Sequence, residues 1–383
     1  MSSPARHPVS PSPLLLPPRA PRCARSVAVI GAGAAGLVAA RELRREGFSV
    51  VVFERLGTVG GTWVYDADVE SDPMGTDPSR AVVHSSLYES LRTNLPRECM
   101  GFLGYPLVSR DGEGRDPRRF PGHREVLRYL EDFARDFDLY GLVRLGTEVM
   151  EVEMAEGGGW AVRTRQVTGE SDAGCTSEVY DGVVVCNGHY TEPRIAEIPG
   201  VEAWPGKQIH SHTYRVPLTF LDQVVVVIGN GLSAFDISRD ILRFAKEVHI
   251  ASRSRGSGAP VKQPGYDNLW LHTMISSAEE DGTVVFLDGS SLHVDVILHC
   301  TGYKYHFPFL KTNGHVIVDD NRVHPLYKHI FPPSLAPSLS FIGIPWKVYL
   351  KYILFTFSLY LLSTQLHSLF FVFFSLYVTL LLE

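Results

Sequence analysis

Ser26-Val-Ala-Val-Ile30, then Gly31-Ala-Gly33-Ala34-Ala-Gly36, then a helix-period segment through Arg45, a stop at Gly47, and Val50-Val-Val-Phe-Glu54: this stretch reads as one complete βαβ unit. Gly31 permits the tight turn off the first strand, and Gly33 lets backbone approach a pyrophosphate. Gly36, with Ala34 beside it, lets the following helix pack closely on the strand. The helix N-terminus then presents unpaired N–H groups and the positive end of its dipole to a phosphate. Glu54 closes the second strand 23 residues after Gly31, where a carboxylate accepts hydrogen bonds from ribose hydroxyls. Strand, helix, second strand and terminal acid together specify a dinucleotide site, and a parallel α/β sheet to carry it.

The rest of the composition narrows the field. A chain of 383 residues with 45% hydrophobic content is long enough for two to three domains or one large α/β unit. A net charge of −6 argues against a nucleic-acid partner, and the basic runs Arg41–Arg45 and Arg115–Arg119 both carry acids, so they read as solvated faces. The five cysteines are odd in number, widely spaced and without a CxxC, which suggests neither a disulfide framework nor a metal site and fits a reducing, cytoplasmic compartment. Residues 1–25 are Pro-rich with four arginines and no acid. They read as a disordered leader or a transit peptide, outside the fold.

Downstream of Glu54 and Arg55, Gly60-Gly61-Thr62-Trp63 places two glycines before a large aromatic, as suits backbone pressed against a flat ligand or an ordinary turn with a core Trp. Residues 64–119 are irregular; within them Leu91-Arg-Thr93-Asn94-Leu-Pro96 is by itself only a turn. A helix is expected over Arg124–Asp136, a Gly-linked hairpin over Thr147–Met154 and Trp160–Thr164, and a buried strand Gly182–Cys186 running into Asn187-Gly188.

At Gln223 the opening pattern returns. Val224-Val-Val-Val-Ile228 leads to Gly229-Asn-Gly231-Leu-Ser233-Ala234, a helix from Phe235 to about Ala245 and a strand Glu247–Ala251. The place that Glu54 takes in the first unit falls here on Ser252, followed by Arg253. No carboxylate repels a 2′-phosphate, and a hydroxyl and a guanidinium are present to bind it. The first unit is therefore suited to FAD or NAD and the second to NADP. Strands are expected over Thr283–Leu287 and Ser291–Leu298, the second ending in Cys300-Thr301-Gly302-Tyr303. A flavoenzyme reduced by NADPH is the economical combination; without a redox CxxC or CxxxxC, reaction with O₂ is the remaining outlet for the electrons.

Trp204-Pro-Gly206-Lys-Gln-Ile-His210-Ser-His-Thr-Tyr214 resembles the FxGxxxHxxxY fingerprint of class B flavin monooxygenases, with Trp for Phe. Together with Gly60-Gly-Thr-Trp63, Thr93-Asn94, Cys186-Asn-Gly-His-Tyr-Thr-Glu-Pro193 and Cys300-Thr-Gly-Tyr303, it makes the chain similar to plant flavin-containing monooxygenases, nearest the glucosinolate S-oxygenase-like group, from about Val27 to Lys347. The resemblance implies two nested Rossmann-like dinucleotide-binding domains: an FAD domain from 26–200 and 303–347, with an NADPH domain from 201–302 inserted. It implies FAD and NADPH as cofactors, no metal, and oxygen transfer from O₂ through a C4a-hydroperoxyflavin to a soft nucleophile, a thioether sulfur or an amine nitrogen. By the same pattern Asn94 supports the peroxide, while Gly206, His210 and Tyr214 hold the interdomain linker, His210 with no acid–base role assigned. Thr301 and Gly302 are expected beside a cofactor. Baeyer–Villiger or auxin-type decarboxylating monooxygenases share the two glycine turns and form the alternative.

After Val348 the resemblance stops. Tyr352–Leu382 has 31 residues with no Asp, Glu, Lys, Arg, Gly or Pro. It reads as translated pyrimidine-rich intron in a truncated gene model, as a membrane anchor (in the endoplasmic reticulum) with Lys347 and Lys351 on its cytosolic side, or as a buried core element. A catalytically inactive, membrane-associated truncation is the third functional reading.

Overall fold

The computed structural model describes residues 25–80, 83–167 and 174–344. The leader at 1–24 and the apolar stretch Tyr352–Leu382 lie outside the described residues. Strand β1 (Ser26–Ile30), helix α1 (Ala34–Arg45) and strand β2 (Ser49–Phe53) form the first βαβ unit. Helix α2 (His123–Asp136) follows the irregular region, then the short β3 (Val143–Arg144). An antiparallel meander β4 (Thr147–Met154), β5 (Trp160–Gln166) and β6 (Thr176–Tyr180) precedes β7 (Gly182–Val185).

The chain leaves through β8 (Glu192–Pro193) and enters a second sheet at β9 (Lys207–His210). There β10 (Val224–Ile228), α3 (Leu232–Ile241) and β11 (Glu247–Ala251) repeat the opening unit. They are followed by β12 (Val261–Lys262), β13 (Leu269–His272), a second meander of β14 (Ile275–Ala278), β15 (Thr283–Phe286) and β16 (Ser291–His293), and β17 (Val296–His299). The return runs through β18 (Tyr303–Lys304) and a hairpin, β19 (Ile317–Asp319) and β20 (Arg322–His324), to β21 (Leu339–Phe341).

The two sheets share one plan. The first has the order β21-β7-β1-β2-β3, the second β12-β13-β11-β10-β17-β9, and every pair but β12–β13 is parallel. Central strands of near-pure Val and Ile are what a parallel sheet covered on both faces requires. Alternate residues confirm the covering: Val27, Val29, Val50 and Val52 face α1 and α2, whereas Ala28, Ile30 and Phe53 face the first meander around Trp160 and Tyr180. In the second sheet Val225, Val227, Val248 and Ile250 pack with α3, and Val226, Ile228 and Ile297 pack with the second meander through Val284 and Phe286. Two features differ: the strand beyond β7 in the first sheet is the last described in the chain (β21), whereas the one beyond β17 in the second is the earliest of its sheet in sequence (β9), and the second sheet adds the antiparallel edge strand β12.

Two expected elements are redrawn. The segment Ser291–Leu298 is two strands, because Val294 and Asp295 turn the chain from the meander into the parallel sheet: Val294 N donates to Gly282 O and Asp295 N to Val224 O, each at 3.0 Å. The second helix starts at Leu232 and ends at Ile241, since Gly231 itself takes the N-cap position.

Candidate functional site

Both glycine turns sit at the carboxyl ends of their sheets, where ligands of open α/β folds bind. In the first, Gly31 has φ +103°, and a Cβ there would meet the Cys186 carbonyl oxygen at 2.6 Å; in the second, Gly229 has φ +118° and the Cys300 carbonyl lies 2.5 Å from such a Cβ. Each Cys directly follows the strand paired with the one that leads into the turn, Cys186 after β7 and Cys300 after β17. Gly36 is the tightest position, with 1.8 Å from a built Cβ to Gly31 O. Gly33 and Gly231 are the N-caps of α1 and α3, with no side-chain cap and no acid in the first turn. Their leading N–H groups therefore remain open to an anion. Around Gly231 a Cβ meets nothing within 4 Å, and Ser233 is exposed beside it, while Ala234 is buried against the sheet.

The flanking chemistry differs between the turns. Glu54 is 7% exposed; its Oε2 accepts from Ala32 N at 2.7 Å and its Oε1 from Leu56 N at 2.8 Å. The carboxylate is thus fixed against the first glycine turn, and burial raises its pKa against the lowering effect of those amides. Arg55 lies 3.7 Å from Glu148. In the second unit Ser252 is buried, its Oγ 2.7 Å from Ser254 Oγ, and Asn230 Nδ2 reaches Ser254 Oγ at 3.3 Å from within the glycine turn. Arg253 is exposed next to them. Ser254 and Asn230 escaped the sequence reading, although the alternation Ser252-Arg-Ser-Arg255 was visible there.

Gly60-Gly61-Thr62-Trp63 packs on the first turn. Gly60 N donates to Ala32 O at 3.0 Å, and Gly61, at φ +55°, would bring a Cβ to 2.8 Å from Gly33 Cα. What demands glycine at 61 is therefore the backbone of Gly33. Thr62 is exposed, and the half-buried Trp63 packs against the first core. Asn94 is exposed on a segment whose Leu91 packs on the second core and Leu95 on the first, so it stands at the seam between the sheets.

That seam is dense with polar contacts. Arg215, 7% exposed, donates to the carbonyls of Asp66 (2.7 Å), Ser85, His212 and Tyr214 (each 2.9 Å). Tyr88 is buried in the second core with its hydroxyl on Asp236, while Ser90 Oγ and Tyr214 Oη both donate to Asp240 Oδ2, at 2.6 and 2.5 Å. His210 is fully buried: its Nδ1 accepts from His212 N at 3.0 Å, so Nε2 carries the proton and donates to Gly302 O at 3.1 Å. Thr301 gives its hydroxyl to the Arg194 carbonyl. Thr301 and Gly302 are thus engaged with the linkers, and β8 pairs with β18 alongside them. Trp204 lies over Gly206, where a Cβ would stand 2.2 Å from the indole.

Burial holds these imidazoles neutral. It lowers His210 to about 3, and His212 and His299 to about 4. For His212, Glu70 Oε1 at 3.1 Å favours charge, but burial and the nearby Arg80 and Arg215 outweigh it, and burial raises Glu70 in turn. The unfolded chain therefore binds more protons than the folded one between about pH 4 and the ordinary value of 6.5. Thermal unfolding followed from pH 7 to pH 4 should show stability falling across that window, and replacing His299 by Asn should flatten the slope. Burial also pushes the Cys186 thiol up and that of Cys300 up to about 12, which leaves neither a nucleophile at neutral pH.

Among the described residues no group of three or more His, Cys, Asp or Glu is placed to hold a metal ion, and no helix is long and apolar enough to cross a membrane. The family model "Flavin-binding monooxygenase-like" matches residues 24–278 and 266–348. The flavin-containing monooxygenase FMO GS-OX-like 4 of Arabidopsis thaliana is 61% identical over 339 residues, 87% of this chain and 74% of that protein. FMO GS-OX5 of the same plant is 64% identical over 323 residues, 84% and 69% of the two chains. The structure of S-allyl-L-cysteine S-oxygenase from Allium sativum, 64% identical, superposes with a TM-score of 0.81 over 85% of this chain and 73% of that one.

Proposed function

Because the chain belongs to the flavin-binding monooxygenase-like family, we propose that it transfers one oxygen atom of O₂ to the sulfur of a small thioether, consuming NADPH and releasing NADP⁺, water and the sulfoxide. FAD is the resident cofactor; when bound, it takes hydride from the nicotinamide and activates O₂. The chain's own part is to grip two dinucleotides and to keep the space between them dry.

The observation that carries this reading is the contrast between the turns. At the first, Glu54 presents a fixed carboxylate suited to ribose hydroxyls, with Gly31, Gly33, Ala34 and Gly36 shaping the FAD pyrophosphate cradle and Arg55, Gly61, Thr62 and Trp63 around it. At the second, Gly229, Gly231, Ser233 and Ala234 shape the cradle, and Ser252, Arg253 and Ser254 offer hydroxyls and a guanidinium to a 2′-phosphate. Asn94, at the seam, is available to the reacting part of the flavin. Sulfur rather than nitrogen is favoured because an S-oxygenase is 64% identical over most of this chain.

Incubation with NADPH and, separately, a methyl thioether, a tertiary amine and a ketone tests the reaction: the thioether should yield its sulfoxide in step with NADPH consumption. An ester from the ketone, or an N-oxide alone, would overturn the substrate class. Replacing Arg253 by Gln should raise KM for NADPH about tenfold or more, the effect of losing one charge-assisted hydrogen bond, and leave that for NADH unchanged.

A further inference from the structure

A chain of polar side chains runs through the second sheet beneath the Ser252–Arg255 loop. Glu247 Oε2 lies 3.2 Å from His249 Nε2, His249 Nδ1 lies 2.9 Å from His272 Nε2, and His272 Nδ1 lies 3.3 Å from Ser290 Oγ, which bonds in turn to Asp288 Oδ1. His249 and His272 are both buried, and His272 stacks on Phe286 with ring centroids 4.1 Å apart. None of these residues takes part in the reading of the site given above.

Proton counting makes the chain informative. With both carboxylates ionised and both imidazoles neutral, the two rings and the serine hydroxyl supply three protons for four contacts. If Glu247 accepts from His249 Nε2, then His249 Nδ1 must accept from His272 Nε2, and His272 Nδ1 is left bare. The serine proton cannot serve both that nitrogen and Asp288. One added proton completes every contact, with His272 Nδ1 donating to Ser290 and Ser290 to Asp288. The ring pair thus has a place for one proton, and Glu247, with its side chain 46% exposed, opens that place to solvent.

The groups facing the pair set its balance. Burial acts most strongly and lowers both rings, His272 to about 4 with His249 and Arg255 on the loop adding to the effect, while Glu247 on β11 and Asp288 on the β15–β16 turn favour the added charge. Ser252 N donates to His272 O at 3.3 Å, so the loop that would hold a 2′-phosphate is attached directly to the His272 backbone. A phosphate there would offset Arg255 and shift the balance toward protonation.

Resting on the NADPH reading of that loop, we propose that the His249–His272 pair takes up one proton when a 2′-phosphorylated adenosine binds, and none when the unphosphorylated one does. His272 is then a specificity-determining residue that adds a positive charge behind the Ser252–Arg253 loop only when the ligand carries the matching negative one.

The test is calorimetric titration of the full chain with 2′,5′-ADP and with 5′-AMP at pH 5, a unit above the value of about 4 to which burial lowers His272, in buffers of different ionisation enthalpy, which counts protons taken up. The wild-type protein should take up roughly half a proton or more beyond the count for His272→Phe with 2′,5′-ADP, and the two proteins should agree with 5′-AMP. Equal counts with 2′,5′-ADP overturn the proposal. Should His272→Phe not fold, wild-type protein labelled with ¹³C at histidine Cε1 decides: 2′,5′-ADP must move a buried imidazole signal to its protonated position, and no such movement overturns the proposal. If 2′,5′-ADP binds wild-type protein no more tightly than 5′-AMP, the NADPH reading of the loop falls, and the proposal with it. A retained preference with equal proton counts removes the proton pair alone.

Discussion

Gly36→Ala should give a colourless protein. The added methyl would stand 1.8 Å from the Gly31 carbonyl oxygen and 2.9 Å from its carbon, both backbone atoms of the turn itself. Relief requires α1 to lift from β1 or the turn to open, and either movement destroys the cradle that Gly33 and Gly61 shape together. Flavin absorbance per mole of purified polypeptide should fall at least tenfold, a lower bound set by about 1.4 kcal/mol, well under what overpacking of a close-packed contact costs. The informative control is Gly231→Ala. Its φ of −86° suits any residue and its Cβ would meet nothing within 4 Å. That variant should keep full flavin content while its KM for NADPH rises, because only a bound pyrophosphate would feel the methyl. Equal loss of flavin in both variants would show that neither glycine acts through its own turn.

Arg215→Met should be the most destabilising single change at the seam. The guanidinium serves four carbonyls, those of Asp66, Ser85, His212 and Tyr214, all reached from a side chain that is nearly out of solvent. Methionine fills much of the volume and leaves those oxygens without their donor, at a cost of about 3–5 kcal/mol when several buried hydrogen bonds are lost at once. Lysine should rescue little, since a single ammonium cannot reproduce a planar fork spread over four acceptors. Urea unfolding of the flavin-loaded protein measures the loss; a midpoint within experimental error of wild type would mean that the carbonyls find other donors.

The sequence made the two βαβ units legible for a physical reason. Val27–Ile30 and Val225–Ile228 are buried on both faces and run into Gly31 and Gly229, whose positive φ and close approach to backbone no other residue satisfies, so pattern and composition agree. The hairpin at Gly157-Gly-Gly159 was readable on other grounds, a glycine turn with positive φ at Gly158 and Gly159 between two strand-like runs that are only half-buried. The seam was not. Tyr88, Arg215, Asp236 and Asp240 come from distant, irregular or helical segments, and nothing periodic in any one of them announces that they meet. The division of Ser291–Leu298 was hidden because no Gly or Pro interrupts it, and only the bonds of Val294 and Asp295 to other segments show the turn. Likewise the partners of Ser252 follow from a loop that folds back on the glycine turn, which spacing along a strand does not encode.

Tyr88 has a consequence for anyone wishing to cut the molecule apart. The chain passes out at Glu192–Pro193 and back at Tyr303–Lys304 side by side, an arrangement that invites excision of everything between as a free-standing module. Such a fragment would lack Tyr88, which the flanking portion contributes to its interior, and the aromatic ring that Tyr214 leans against at 5.2 Å would be gone. A transplantable version must carry the strap around residues 84–92 with it, for instance by joining that peptide ahead of Lys207.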